Sequence, residues 1–239
     1  MTTNNAAPQR LYLMQVAISM VAPCYLVQTG DGKNILIDSG LPLQMPGGFQ
    51  LPPNVAPPVL GESVITQLAK IGIQPADIDI LVATHFDMDH AGNHDAFTNA
   101  EVVVQRSHYE LAKSGYPRFA RSRSHWDHPA LRYRLVDGDT ELVPGLELIE
   151  TSGHTKGHQA VLVRLPHTGP VLLTIDSVPT QSAFTMERKA SRLDEDEEGL
   201  LASTRKLLDL VEREHVELVI FGHDSAQWQM LKTLPAYYD

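Results

Sequence analysis

The sequence has little cysteine, few basic residues relative to acidic ones, and no long apolar run. The one cysteine among 239 residues, Cys24, excludes an internal disulfide, and its apolar neighbours favour a buried core residue over a nucleophile. With 19 Lys and Arg against 29 Asp and Glu, the net charge of −10 argues against nucleic-acid binding, which needs clustered basic side chains. No run approaches the length of about 18 apolar residues that a membrane span requires. A small-molecule substrate fits this balance.

The organisation of the chain predicts a single domain over residues 1–239, because no linker or low-complexity tract divides it. Hairpin patterns mix with helix–strand units throughout, which predicts an α/β fold of stacked sheets with outer helices. The first ten residues are polar and lack the apolar stretch of a signal peptide, so we expect a cytoplasmic protein. The pattern leaves a homodimer open.

Apolar periodicity predicts the main elements. Helical spacing favours helices over residues 62–71 and 194–214, and the acidic run Asp194–Glu198 is typical of a helix start. Residues 41–58 are rich in proline and glycine and predict a long loop of the kind that often shapes a binding site. The predicted strands lie in CYLVQTGDGKNILID, Ile78–Ala83, EVVVQ, LELIETSGH, QAVLVRL, VLLTID and VELVIFGH.

Ligand-type side chains follow the ends of four predicted strands, beginning with the stretch THFDMDHAGN. Strand ends at one edge of a layered sheet converge, so these groups can meet in space. Imidazole nitrogens and carboxylate oxygens are ligands for zinc, manganese or iron, and seven groups with a shared carboxylate suit two metal ions. The seven predicted metal ligands are His85, Asp87, Asp89, His90, His154, Asp176 and His223.

The other histidines are interpreted as structural. His94 and His158 lie beside the clusters and are assigned to supporting positions. The remaining histidines are predicted to lie on the surface or in loops, and they are His108, His125, His128, His167 and His215.

The spacing of these residues resembles that of the metallo-β-lactamase superfamily. Its motif is His-x-His-x-Asp-His after a strand, then a lone His, a bridging Asp and a last His. The resemblance runs from NILIDSG to FGHDSAQW and implies the αββα sandwich of that superfamily. Within it, THFDMDHAGN, GHTKGHQ and FGHDSAQW are most similar to the N-acyl-homoserine lactonase branch.

The resemblance also implies how the ligands divide between two metals. Asp176 would bridge the metals, and Asp38 of LIDSG would support the site without coordinating. The implied ligands are His85, Asp87 and His154 for the first metal, and Asp89, His90 and His223 for the second.

The implied activity is a metal-dependent hydrolase that opens a lactone or a similar cyclic ester. Water bound between two divalent metals loses a proton near neutral pH, and the hydroxide attacks the carbonyl carbon. Asp89 is expected to orient that hydroxide and to carry a proton, so Asp89 and Asp176 are the predicted catalytic residues. The alternative is a non-hydrolytic iron-dependent oxygenase or oxidoreductase of the same fold.

Asp87 is the first departure from the family pattern, since it stands where the motif has its second histidine. A carboxylate is a shorter, harder and charged ligand. Zinc is the favoured metal, but Asp87 leaves manganese or iron open.

Pro179 is the second departure, because the lactonase branch has a tyrosine there, three residues beyond the bridging aspartate. Proline has no side-chain donor. The candidates for a replacement donor are Tyr116, Trp126 and Ser177. The candidate substrate walls are the proline-rich loop and the aromatic residues Tyr116, Phe119, Trp126 and Trp228.

Overall fold

A computed structural model describes residues 6–17, 21–42 and 60–239. The proline-rich loop lies outside the described residues, apart from its first two positions. The strands within those ranges are β1 Pro8–Gln15, β2 Pro23–Thr29, β3 Asn34–Ile37, β4 Ile80–Val82, β5 Glu101–Gln105, β6 Arg132–Val136, β7 Thr140–Val143, β8 Leu146–Glu150, β9 Gln159–Leu165, β10 Gly169–Ile175 and β11 Leu218–Phe221. The helices are α1 Val64–Ala69, α2 Met88–Ala91, α3 Arg106–Lys113, α4 Arg123–Trp126, α5 Glu197–Arg213 and α6 Ser225–Trp228.

The strands form two sheets. The first has the order β1-β2-β3-β4-β5-β6, with antiparallel pairs from β1 to β3 and parallel pairs from β3 to β6. The second has the order β11-β10-β9-β8-β7, in which β10 and β11 are parallel and the other pairs antiparallel. Because the carboxyl ends of parallel strands share one edge, the residues that follow β3, β4, β10 and β11 can meet.

Alternating side chains bury both faces of each sheet. In β3, Ile35 and Ile37 pack between the two sheets, whereas Leu36 packs with α1 residues on the opposite face. In β9, Val161 packs between the sheets and Leu162 packs against α5. This period of two, with helices outside both sheets, gives the αββα sandwich that the resemblance implies.

The predicted elements agree with the structure where an apolar pattern is strong. The strand predicted at 101–105 has those bounds, and α5 begins at Glu197, within the predicted helix. Strands β1, β6 and β7 are not predicted from the sequence. Cys24 is fully buried and unpaired, as predicted. Among the described residues, no helix has the length and apolar character needed to cross a membrane.

Two features bring the ends of β10 and β11 together. Ile175 has a φ of 53°, a left-handed conformation that is strained for a β-branched residue and that turns the chain sharply before Asp176. Gly222 lies so close to this turn that an added Cβ would stand 2.5 Å from the Ile175 carbonyl oxygen. The missing side chain therefore lets Asp176 and His223 approach each other.

Candidate metal centre

The seven predicted ligands meet at this edge of the sheets. Their ligand-type atoms form three overlapping groups, and the atoms within each group lie within 4.8 Å of one another. Their proximity agrees with the convergence expected of strand ends. The groups are His85, Asp87 and His154; Asp89, His90 and His223; and His85, His90 and Asp176.

The carboxylate of Asp176 lies between the first two groups. Its Oδ1 is 3.2 Å from His90 Nε2 and 3.0 Å from His223 Nε2. Its Oδ2 is 3.8 Å from His85 Nε2 and 3.3 Å from His154 Nε2. Each oxygen thus faces a different pair of imidazoles, which is the arrangement a bridging ligand needs.

Buried polar groups orient two of the imidazoles. Asp38 Oδ2 lies 2.8 Å from His90 Nδ1 and accepts a 2.6 Å hydrogen bond from the Thr84 hydroxyl. The same hydroxyl is 3.1 Å from His85 Nδ1. These contacts hold the Nδ1 side of both rings and turn Nε2 towards the cluster. Asp38 therefore has the supporting position that the resemblance implies.

The other two imidazoles are held in the same way. His154 Nδ1 lies 2.9 Å from Asp194 Oδ1, and His223 Nδ1 bonds the carbonyl oxygen of Val21. Asp194 lies in the acidic run whose composition predicts a helix start. Glu197 does occupy the first turn of α5, but Asp194 precedes the helix and reaches the site.

Two buried nitrogens test whether these residues suit a metal. Nε2 of His85 and Nε2 of His90 are buried, and within the described ranges of the chain neither makes a hydrogen bond. An unpaired buried polar atom is costly, typically about 1–3 kcal/mol. Two such lone pairs aimed into a cluster of carboxylates fit a bound cation, so the donor set suits a dinuclear metal site.

The ionisable groups of the cluster shift one another's pKa values. Burial lowers the pKa of His154 and of His223, but nearby carboxylates, Asp176 first, outweigh it and raise each pKa to about 9. Burial raises the pKa of Asp176, yet the surrounding imidazoles, His223 first, hold it well below its usual value. The carboxylates and imidazoles therefore form paired charges.

Arg118 forms an ion pair with Asp87 at the site, a contact that the sequence does not predict. Its Nε donates to Asp87 Oδ1 at 2.8 Å and its Nη2 to Asp87 Oδ2 at 2.5 Å, a bidentate arrangement. Burial raises the pKa of Asp87, but the hydrogen bonds from Arg118 lead the contacts that bring it well below its usual value. Asp87 therefore turns towards the cluster and is held there as a carboxylate.

The structure places the remaining histidines as follows. His158 is buried, and its Nε2 accepts the Asp176 amide at 3.3 Å. His94 is buried with Nδ1 2.7 Å from the Ser39 hydroxyl. The prediction of a surface position for His108 is wrong, because it is fully buried and accepts the Phe86 amide at 2.9 Å. The residues next to His108 in the sequence do not predict its burial, because its hydrogen-bond partner Phe86 lies 22 residues away along the chain.

The aromatic residues predicted to line a substrate pocket mostly belong to the core. Phe119, Trp126 and Trp228 are buried, and the indoles of Trp126 and Trp228 donate to backbone carbonyls. Ser177 is also buried and donates to the Thr174 carbonyl. Of the three replacement donors, Tyr116 alone is partly exposed, and its hydroxyl interacts with Glu195.

A two-sheet sandwich with imidazoles and carboxylates gathered at one sheet edge defines an αββα metal-binding hydrolase fold. A family model described as the Metallo-beta-lactamase superfamily matches residues 20–223, and the chain belongs to that superfamily.

Known proteins of this kind are similar over nearly the whole chain. An N-acyl homoserine lactonase from a Bacillus species is 35% identical over 221 residues, covering 90% of this chain and 85% of that protein. The enzyme of Bacillus thuringiensis is 33% identical over 223 residues, with the same shares. A solved N-acyl homoserine lactone hydrolase with the product N-hexanoyl-L-homoserine at its catalytic metal centre is similar with a TM-score of 0.84. It is 29% identical, and the match covers 97% of this chain and 100% of that one.

Proposed function

We propose that the protein is a metal-dependent lactonase that opens N-acyl-homoserine lactones. The observation that carries this proposal is the 33–35% identity to N-acyl homoserine lactonases over 90% of the chain. The gathered imidazoles and carboxylates support it, because hydrolysis of a lactone needs a nucleophile and a stabilised oxyanion.

The proposed ligand sets follow the clusters. Two divalent metals, with zinc proposed, would supply an acidic water and polarise the lactone carbonyl when bound. Asp87 keeps the first set harder than three imidazoles would be, so manganese remains a rival to zinc there. His85, Asp87 and His154 would hold the first metal, Asp89, His90 and His223 the second, and Asp176 would lie between them.

Asp89 is the residue proposed to move the proton. Its side chain is 21% exposed, and its Oδ2 lies 3.7 Å from His90 Nε2 and 3.9 Å from His223 Nε2. A carboxylate at this open side of the cluster can take the proton of the attacking water and pass it to the leaving alkoxide oxygen. Because that oxygen belongs to the ring, the product is a single hydroxy acid.

A lactone panel tests the proposed activity. We expect the full chain, purified with zinc or manganese, to release one proton for each N-acyl-homoserine lactone opened, which a pH-indicator assay measures. An iron-loaded preparation that consumes oxygen and opens no lactone would instead support the oxidoreductase alternative. Metal analysis of each preparation ensures that inactivity is not merely an empty site.

Tyr116 is proposed to replace the donor that Pro179 lacks. Its hydroxyl interacts with Glu195, which accepts from Arg118 at the edge of the first cluster. Removing one donor to a developing oxyanion typically lowers kcat by about a hundredfold or more. We expect Tyr116→Phe to lower kcat by about a hundredfold or more, while the metal content stays unchanged.

Tyr109→Phe is the matched control for this change. Tyr109 packs against Tyr133, with 4.7 Å between the ring centroids, and it should keep the parental kcat. If Tyr116→Phe also matches the parent, Tyr116 is only a loop aromatic.

A further inference from the structure

A guanidinium group stands against the ligand-type atoms of the first cluster. Nη2 of Arg118 is 2.5 Å from Asp87 Oδ2 and 2.7 Å from His154 Nε2. Those two atoms lie 3.4 Å apart, and the same Asp87 oxygen is 3.4 Å from His85 Nε2. A positive group thus already contacts two of the three side chains assigned to the first metal.

Contacts that do not involve Asp87 also hold Arg118 in this position. Its Nη1 donates to the His154 carbonyl oxygen at 3.1 Å, to the Leu193 carbonyl oxygen at 2.7 Å and to Glu195 Oε1 at 3.2 Å. The side chain is only 18% exposed. The guanidinium is therefore fixed from both sides, and it cannot move away without breaking several charge-assisted hydrogen bonds.

The second cluster has a different environment. The ion pairs of Asp89 in the described part of the chain join it to His90 and His223, both of which belong to the same cluster. The Oδ1 atom of Asp176 faces these imidazoles as well. A cation entering here meets ligand atoms that are paired with one another.

We propose that Arg118 competes with a metal ion for Asp87 and His154, so that the second site fills first and the first site fills only when the guanidinium withdraws. Metal–ligand distances are about 2 Å, so a metal bound to Asp87 Oδ2 and His154 Nε2 would need the space that Nη2 occupies. Two cations at that spacing also repel each other strongly. The inference takes its two ligand sets from the proposed function.

The competition has a consequence for the metal content of the protein. Arg118 and Asp87 together are neutral, as an imidazole is, so the guanidinium already offsets the charge of Asp87 without a metal. The protein should therefore hold one metal per chain at low metal supply and two at high supply. The occupancy of the first site therefore changes with the metal supply, whereas the second site stays filled.

Zinc titration of an Arg118→Gln variant tests the proposal. The full chain is stripped with a chelator and then titrated with Zn²⁺ against a chromophoric chelator to obtain two Kd values. We expect the weaker Kd to tighten by about 10- to 100-fold, the range that groups around ligand atoms typically control, while the tighter Kd stays unchanged. Arg118→Lys, which keeps the charge but lacks the planar fork, should fall between the parent and Arg118→Gln.

Arg123→Gln is the matched control, because Arg123 is half-exposed and bonds Asp127, which is not assigned to either metal. It should leave both Kd values at the parental level. A weaker Kd that is unchanged or looser in Arg118→Gln would overturn the proposal and make Arg118 a supporting residue. If Arg118→Gln does not fold, the weaker Kd of Arg118→Lys is measured instead. A tighter value than in the parent supports the proposal, and an unchanged or looser value overturns it.

Lactone turnover of the same preparations keeps the two proposals separate. A parent that binds two zinc ions and opens no lactone refutes the proposed function, whereas the effect of Arg118→Gln on zinc Kd is unaffected. Conversely, an active parent with unchanged Kd values in the variant refutes only the competition.

Discussion

Asp176→Asn is expected to lower kcat/KM for lactones by at least about a thousandfold, or roughly 4 kcal/mol in transition-state free energy. Its Oδ1 faces His90 and His223, and its Oδ2 faces His85 and His154. An amide has nearly the same shape but no charge, and its nitrogen cannot act as a ligand. The measurement is kcat/KM together with metal content, which should fall by at least one ion per chain.

His158→Asn is the comparison that makes this result specific. His158 is buried beside Asp176, but its Nε2 only accepts the Asp176 amide, and its Nδ1 lies 2.9 Å from the Thr151 hydroxyl. It therefore positions the backbone of Asp176 without a ligand role. We expect a loss of about 10- to 100-fold with both metals retained, as for other groups that orient ligands. Equal losses in the two variants would mean that the ligand was assigned to the wrong residue.

The proximity of the seven ligand-type residues could be predicted because each follows a strand. A side chain that directly follows a strand lies at the edge of the sheet where that strand ends. Strands β4, β10 and β11 are apolar runs that can be recognised in the sequence. Stacked sheets with outer helices could also be predicted, because hairpin patterns mix with helix–strand units, whereas the αββα sandwich itself was implied by the family resemblance.

The groups around those ligands could not be predicted, because they come from distant parts of the chain. Arg118 lies 31 residues from Asp87 and 75 from Leu193, and both contacts depend on tertiary packing. His108 occupies the buried side of the eight-residue helix α3, too short for its periodicity to separate a buried histidine from an exposed one. Trp126 lies in the four-residue helix α4 and stacks on Phe86 in the core, so its sequence neighbours gave no sign of burial.

Metal removal is expected to abolish lactone opening and to lower the Tm by on the order of 10 °C. Ligands that bind only the folded state stabilise it by about 2.7 kcal/mol at a hundredfold excess over Kd, and a domain of this length shifts by roughly 2–4 °C per kcal/mol. The binding energy would be gained at His85 Nε2 and His90 Nε2, which make no hydrogen bond to any residue that the structure describes. The measurement is thermal unfolding and turnover after chelation, then after Zn²⁺ is restored.

The order of loss separates the two sites. If Arg118 competes for the first metal, mild chelation should remove one ion with a small decrease in Tm, because the guanidinium then pairs with Asp87 and His154. Stronger chelation should remove the second ion with a larger decrease, since His90 and His223 have no such substitute among their described contacts. Equal decreases for the two ions would contradict this order. A Tm that does not change when all metal is removed would show that the buried imidazole nitrogens do not hold a cation.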